Sequence, residues 1–267
     1  MNCGLCGSTI NTLLWKAGKH QIVKCGDCGL IYNASFAKGE TSYLGDDYFT
    51  CKNQYVSRWE DFCAKFESLL DNVMRFKRAG TLLDVGTGCG ALLSVAARRG
   101  FIAQGVEVSE WASSFAREAK GLDVLTGTLE EARFETEVFD IVIINHVLEH
   151  IFNPRGILTE VHRILKNDGL LVIGVPNIGS IMASLRGGKW ESLRPEEHIW
   201  HFTHATLERL VAEIGFIELY FEARKNHPAT GWRPKALLRK AINSVAVLAN
   251  RSEAMLLFAG KGNSLAL

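Results

Sequence analysis

The sequence predicts an α/β fold, a mostly parallel sheet with helices on both faces behind a small cysteine-rich module. Three observations carry this. From residue 81 onward, apolar strand-like runs alternate with segments of helical spacing. The first unit, Thr81 to Glu107, reads as strand, tight glycine turn, helix, strand and acid. Ahead of it, four cysteines fall in two close pairs.

The bulk numbers fit this class. The 267 residues are 47% hydrophobic and 22% charged, which excludes a largely disordered chain. The formal net charge of +1 gives no global field toward nucleic acid. No charged n-region with an apolar core opens the chain, and no uncharged apolar run approaches the roughly 18–20 residues that span a bilayer. A cytoplasmic protein without a membrane span is the expectation.

Cys3-Gly4-Leu5-Cys6 and Cys25-Gly26-Asp27-Cys28 form two C-x2-C pairs across an 18-residue gap. Each pair can grip one side of a tetrahedral ion. Gly7 and Gly29 free the backbone for the turn that follows each second cysteine. Short strands are expected at 12–15 and 20–24. The pattern looks like a zinc ribbon, with Cys3, Cys6, Cys25 and Cys28 as ligands. Four protein ligands leave no open position, so the expected zinc is structural. Cys51, Cys63 and Cys89 lack partner spacing and read as isolated thiols.

Domain bounds follow: a ribbon over 1–36, a connector and helix over 37–80, and the α/β domain over 81–267. Aromatic and apolar residues from Tyr55 to Phe76 recur at three- and four-residue steps, predicting an amphipathic helix between roughly Tyr48 and Arg78 whose aromatics are mostly core. Ser109 can cap a helix that Gly121 ends. Strands are expected at 123–126, 137–145 and 170–175, with a helix over 154–166. An irregular lid covers 177–202. Thr203 caps a helix that Gly215 ends, and strands follow at 216–222 and 253–260. A basic amphipathic helix over 234–249 is left to pack, cap the site, form a homodimer face or touch a membrane surface.

The glycine turn, Asp84-Val85-Gly86-Thr87-Gly88-Cys89-Gly90, lets a ligand approach the backbone closely. Glu107 suits a ribose diol, because a carboxylate accepts from both hydroxyls. NAD, FAD and S-adenosylmethionine all fit so far. The turn lacks the G-x-G-x-x-G spacing, and Asp84 would sit poorly beside a pyrophosphate. It sits well near a cationic sulfonium and an ammonium.

These residues resemble motif I of the class I S-adenosylmethionine-dependent methyltransferases. Gly105 to Ser109 resembles that family's ribose-binding segment, Phe139 to His150 its fourth-strand motif, and Leu165 to Asn177 its turn into the fifth strand. The resemblance spans about residues 80 to 220. It implies a Rossmann-like, seven-stranded, mostly parallel sheet whose antiparallel seventh strand is 253–260. It implies that Glu107 and the adjoining Val108 hold the ribose, and that Gly86, Thr87 and Gly88 cradle the methionine part. It also places Leu129, with Thr128 or Glu130, near the adenine and Asn145 near the methionine carboxyl or amine. Tyr43 or Tyr48 is a candidate to cover the cofactor.

Residues after the fourth and fifth strands should face the acceptor: His146, Glu149, His150 and the 177–202 segment. Glu197-His198 resembles the Glu-His of zinc-ribbon sugar C-methyltransferases, implying His198 as general base with Glu197 in support. His201 is the second candidate and His146 a third. Arg186, Lys189, Trp190 and Arg194 would suit an anionic or sugar-nucleotide acceptor. The expected activity is methylation of a small hydroxylated acceptor, at oxygen or carbon. The layout also resembles ribosomal-RNA guanine methyltransferases, but the ribbon between Cys3 and Cys28 has three lysines and no arginine, which argues against nucleic acid. A non-catalytic cofactor-binding scaffold is the third reading.

Overall fold

The computed structural model describes residues 1–36, 55–224, 242, 244–246 and 249–262. Tyr43, Tyr48, Cys51 and most of the expected helix over 234–249 lie outside the described residues.

Two sheets organise the chain. The larger contains β4 (Thr81–Val85), β5 (Ile102–Glu107), β6 (Asp123–Thr126), β7 (Phe139–Asn145), β8 (Leu165–Pro176), β10 (Phe216–Arg224) and β11 (Ala254–Lys261). Its order is β10-β11-β8-β7-β4-β5-β6. The five strands from β8 to β6 run parallel, and β11 inserts antiparallel between β8 and β10. This is the seven-stranded Rossmann-like sheet with the reversed strand expected at 253–260.

The strand alternation decides the two cores. Leu82, Ile141, Ile143 and Val172 pack on one face with α1 (Trp59–Val73) and α2 (Ala91–Arg98). Leu83, Val142, Ile144 and Ile173 pack on the other with α5 (Pro154–Ile164) and α7 (His204–Ile214). Both faces are covered, which is why β7 reads as an unbroken apolar run. Burying each of its isoleucines stabilises the fold by about 1.5–3 kcal/mol relative to exposure.

Local chemistry sets the helix ends. The Ser109 hydroxyl accepts from the Ala112 amide at 3.1 Å and starts α3 (Glu110–Lys120); Gly121 ends it in the left-handed region. Thr128 and Glu131 form a reciprocal cap on the short α4 (Leu129–Ala132). Asn153 caps α5, with Pro154 in its first turn.

The second sheet joins the cysteine module to the lid. Strands β1 (Asn11–Ala17), β2 (His20–Cys25) and β3 (Ile31–Asn33) are followed, in the order β1-β2-β3-β9, by β9 (Trp200–His201). Lid and ribbon are therefore one sheet, which the expectation of an irregular lid missed. The lid also contains α6 (Ile181–Arg186). Cys3, Leu5 and Tyr32 share a core with Trp200, Phe202 and the underside of the main sheet. No helix among the described residues is long and apolar enough to cross a membrane.

Candidate active site

The site is a cavity of about 1040 Å³ at the carboxyl ends of β4, β5, β7 and β8. Its first wall is the glycine turn. Gly86, Gly88 and Gly90 have φ of 72°, 56° and 85°. Gly86 also leaves no room for a side chain, since a Cβ there would meet Val147 Cγ2 at 2.4 Å. Positive φ and close approach together account for glycine at this position.

Glu107 ends β5 with both carboxylate oxygens engaged: Oε2 accepts from the Gly88 amide at 2.8 Å and Oε1 from the Ser109 amide at 2.9 Å. Burial raises its pKa. Asp84 is buried in the wall, and burial, reinforced by the Glu107 charge, pushes its carboxyl up to about 7. No ion pair reaches Asp84 among the described residues. The neighbouring Thr87 hydroxyl works against this rise by favouring the charged carboxylate. A buried carboxyl lacking a cation and a second buried carboxyl on backbone amides fit a ligand that brings positive charge and a diol. Val108, Leu129 and Asn145 line the same cavity. Gly174 makes space for Asn145, whose Oδ1 lies 2.2 Å from where a Cβ would stand.

The adjoining wall is built from the segment after β7, the strand paired with β4. His146 has φ of 56°, a left-handed conformation that a non-glycine residue holds only when its surroundings impose it. Its Nδ1 lies 3.3 Å from Glu149 Oε1, and its side chain is 40% exposed. Glu149 is 1% exposed. Burial alone would raise its carboxyl, but the His146 contact and the imidazoles of His150 and His198 outweigh it and hold it down to about 2. His198 Nδ1 sits 2.9 Å from the Ser192 carbonyl oxygen, and Nε2 is 4.0 Å from Glu149 Oε1. Burial holds His198 well below the ordinary histidine range. Glu149, His150 and His198 each offer a ligand atom within 4.8 Å of the others, an arrangement able to take a cation.

Several expected residues stand elsewhere. The Glu197 carboxylate pairs with Arg194 at 2.9 Å instead of supporting His198; only its carbonyl reaches the site, 2.9 Å from His150 Nδ1. The acid beside His198 is Glu149, which sequence reasoning did not name as catalytic. His201 lies in β9, set back from the cavity, and burial brings it down to about 4. Arg186 pairs with Glu191, and Trp190 is buried with Nε1 3.4 Å from Glu253 Oε1. Of the four lid residues expected to meet an anionic acceptor, Arg194 lines the cavity. Phe62 and Phe66, read as core, line it too, and Tyr55 stacks on Phe62 at 4.2 Å. Their helical spacing did not separate a core face from a cavity face.

The four cysteines converge away from this cavity. Cys3 and Cys28 sulfurs are 3.4 Å apart and Cys6 and Cys25 sulfurs 3.5 Å. These separations are far beyond the ~2.05 Å of a disulfide. They approach the ~3.8 Å edge of a tetrahedron with ~2.3 Å metal–sulfur bonds. Gly7 and Gly29 have φ of 75° and 76°, as the turns after each pair require. Burial would raise the Cys25 thiol, yet the backbone N–H groups of Cys28 and Asp27 outweigh it and bring it down to about 6. The donor set fits a zinc ion.

Comparison with known proteins agrees with this geometry. Residues 58–217 match the family model described as a methyltransferase domain. A protein of Methanocaldococcus jannaschii is 26% identical over 151 residues, covering 57% of this chain and 71% of its own. A ubiquinone biosynthesis O-methyltransferase of Cereibacter sphaeroides is 31% identical over 147 residues, 52% of this chain, and the chain spans 58% of that relative's length. Among solved structures, an S-adenosylmethionine-dependent methyltransferase of Archaeoglobus fulgidus superposes with a TM-score of 0.60 at 21% identity, covering 81% of this chain and all of that one. The chain thus has the fold of these enzymes, and it belongs to the methyltransferase-domain family.

Proposed function

We propose that this chain binds S-adenosylmethionine in the cavity, methylates a small-molecule acceptor carrying an acidic hydroxyl or an activated carbon, and holds a structural zinc ion in its cysteine cluster. The observation that carries the reading is a single cavity lined by Asp84 and Glu107 together with the His146–Glu149 pair. Its volume suits a cofactor together with a small acceptor. The relatives named as ubiquinone biosynthesis O-methyltransferases support an oxygen as the accepting atom.

Bound S-adenosylmethionine supplies a methyl group on a sulfonium centre. Asp84 offers charge compensation to a cation, and Glu107 accepts from ribose hydroxyls. His146 has Nε2 without a protein partner among the described residues and faces the cavity, so it can take the proton from the acceptor. Glu149, already ionised, steadies the imidazolium that results. His198, with Nδ1 spent on a carbonyl and its basicity lowered, packs and orients that pair.

Incubation with S-adenosylmethionine and a panel of catechol, phenol and sugar acceptors, read as S-adenosylhomocysteine, tests the reading. His146→Ala should lower turnover roughly 10²–10⁴-fold with the KM for S-adenosylmethionine unchanged. Equal turnover in wild type and His146→Ala would remove His146 as base. No product with any acceptor would count against the small-molecule class.

A further inference from the structure

The segment carrying Arg194 and His198 has little regular structure between Trp190 and β9, yet it lines the cavity. Arg194 has φ of 36°; its carbonyl accepts from the Glu197 and His198 amides at 2.9 Å, and the turn so formed has a further hold from outside the segment. The ribbon supplies that hold through Asn33, wholly buried at the end of β3. Asn33 Nδ2 carries two hydrogens. One donates to the Pro195 carbonyl oxygen at 2.7 Å, the other points to His20 Nδ1 at 3.0 Å. Its Oδ1 accepts from the Ser35 amide at 3.1 Å. Its own backbone amide donates to the Ile199 carbonyl at 2.8 Å. One residue therefore fixes both ends of the stretch 195–199, with His198 between them.

Neighbouring packing reinforces the hold. Gly4, between the first two cysteines, faces the Trp200 ring so closely that a Cβ would lie 2.4 Å from it. Trp200 Nε1 donates to the Ile151 carbonyl at 2.7 Å, linking the ribbon side to the segment after β7. Ile199 donates to the Glu149 carbonyl at 2.9 Å. A buried amide with every group satisfied locks a single geometry, and removing one partner leaves the others buried and unpaired.

We propose that Asn33 is a positioning residue of the acceptor side: the cysteine ribbon reaches through it to set Arg194 and His198 against the cavity. The proposal rests on the reading of that cavity as a methyl-transfer site, but its test does not. Asn33→Asp keeps the shape and removes both side-chain donors. The measurement is solvent exchange of the His198 ring N–H in histidine-labelled full-length protein by NMR, with and without S-adenosylhomocysteine. Calorimetric affinity for S-adenosylhomocysteine and metal content are recorded alongside.

The expected result is at least tenfold faster exchange at His198, with metal content retained and S-adenosylhomocysteine affinity within twofold of wild type. Unchanged His198 exchange overturns the proposal. So does an equal loss of S-adenosylhomocysteine affinity, which would mark general loosening of the fold. Should Asn33→Asp not fold, His20→Ala decides: it frees one amide hydrogen without adding charge, and the same acceleration, smaller in size, is expected. Failure of the wild type to bind S-adenosylhomocysteine would sink the cofactor reading, and the His198 measurement on the unliganded protein would still judge Asn33.

Discussion

At the scale of single residues, the site is defined by carboxylates in opposite states. Glu149 is held ionised by the imidazoles around it, while Asp84, buried with no cation in reach among the described residues, takes up a proton easily. The folded pKa of Asp84, about 7, lies above its ordinary 3.8. Its contribution to stability is therefore fully present below about pH 4 and lost as pH rises through about 7. Urea unfolding of the cofactor-free protein at pH 5 and pH 8 should show wild type losing stability relative to Asp84→Asn over that range; parallel curves would contradict it. Asp84 and Glu107 were legible in the sequence because a strand–turn–helix–strand unit brings its own ends together. Glu149 was placed toward the acceptor by its position after the fourth strand, but its pairing with His146 was not legible, since that depends on the 3₁₀ turn at Leu148–His150. The pairing of Glu197 with His198 came from the family resemblance, but adjacent residues in a bend point apart, and Glu197 found Arg194.

At the scale of elements, the glycine turn combines close packing with left-handed backbone. Gly86→Ala would force a side chain into the left-handed region and against Val147. The backbone term alone costs about 1–2 kcal/mol, and the contact adds to it. A total of ~2 kcal/mol corresponds to a Tm lower by ~4–8 °C in a domain of this size. Calorimetry checks this, and an unchanged Tm would mean that the turn can relax. The seven strands of the main sheet were readable from apolar runs and turn residues, and their ends moved by a few residues at most sites. Their common sheet and its reversed last strand came from the family resemblance, and their order came only with the structure, because long-range pairing leaves no periodic trace. Strand β9 escaped notice for a related reason: two residues carry no period, and their partner, β3, lies about 170 residues away in the chain.

At the scale of the whole molecule, the ribbon is part of the enzyme's frame. Its third strand pairs with the lid, its first cysteine knuckle packs on Trp200, and Asn33 ties it to the histidine segment. The sheet supplies one end of the cavity and the ribbon-braced lid supplies the other. Asp84 and Glu107 together form the proposed site for S-adenosylmethionine. Calorimetric titration of S-adenosylmethionine into wild type and Glu107→Ala, at pH 6 and pH 8, tests it most directly. The account predicts saturable binding to wild type, tighter at pH 8 as Asp84 ionises, and at least tenfold weaker binding to Glu107→Ala, roughly the loss of one charge-assisted hydrogen bond or more. Absence of binding, or equal affinity in the two proteins, would contradict it.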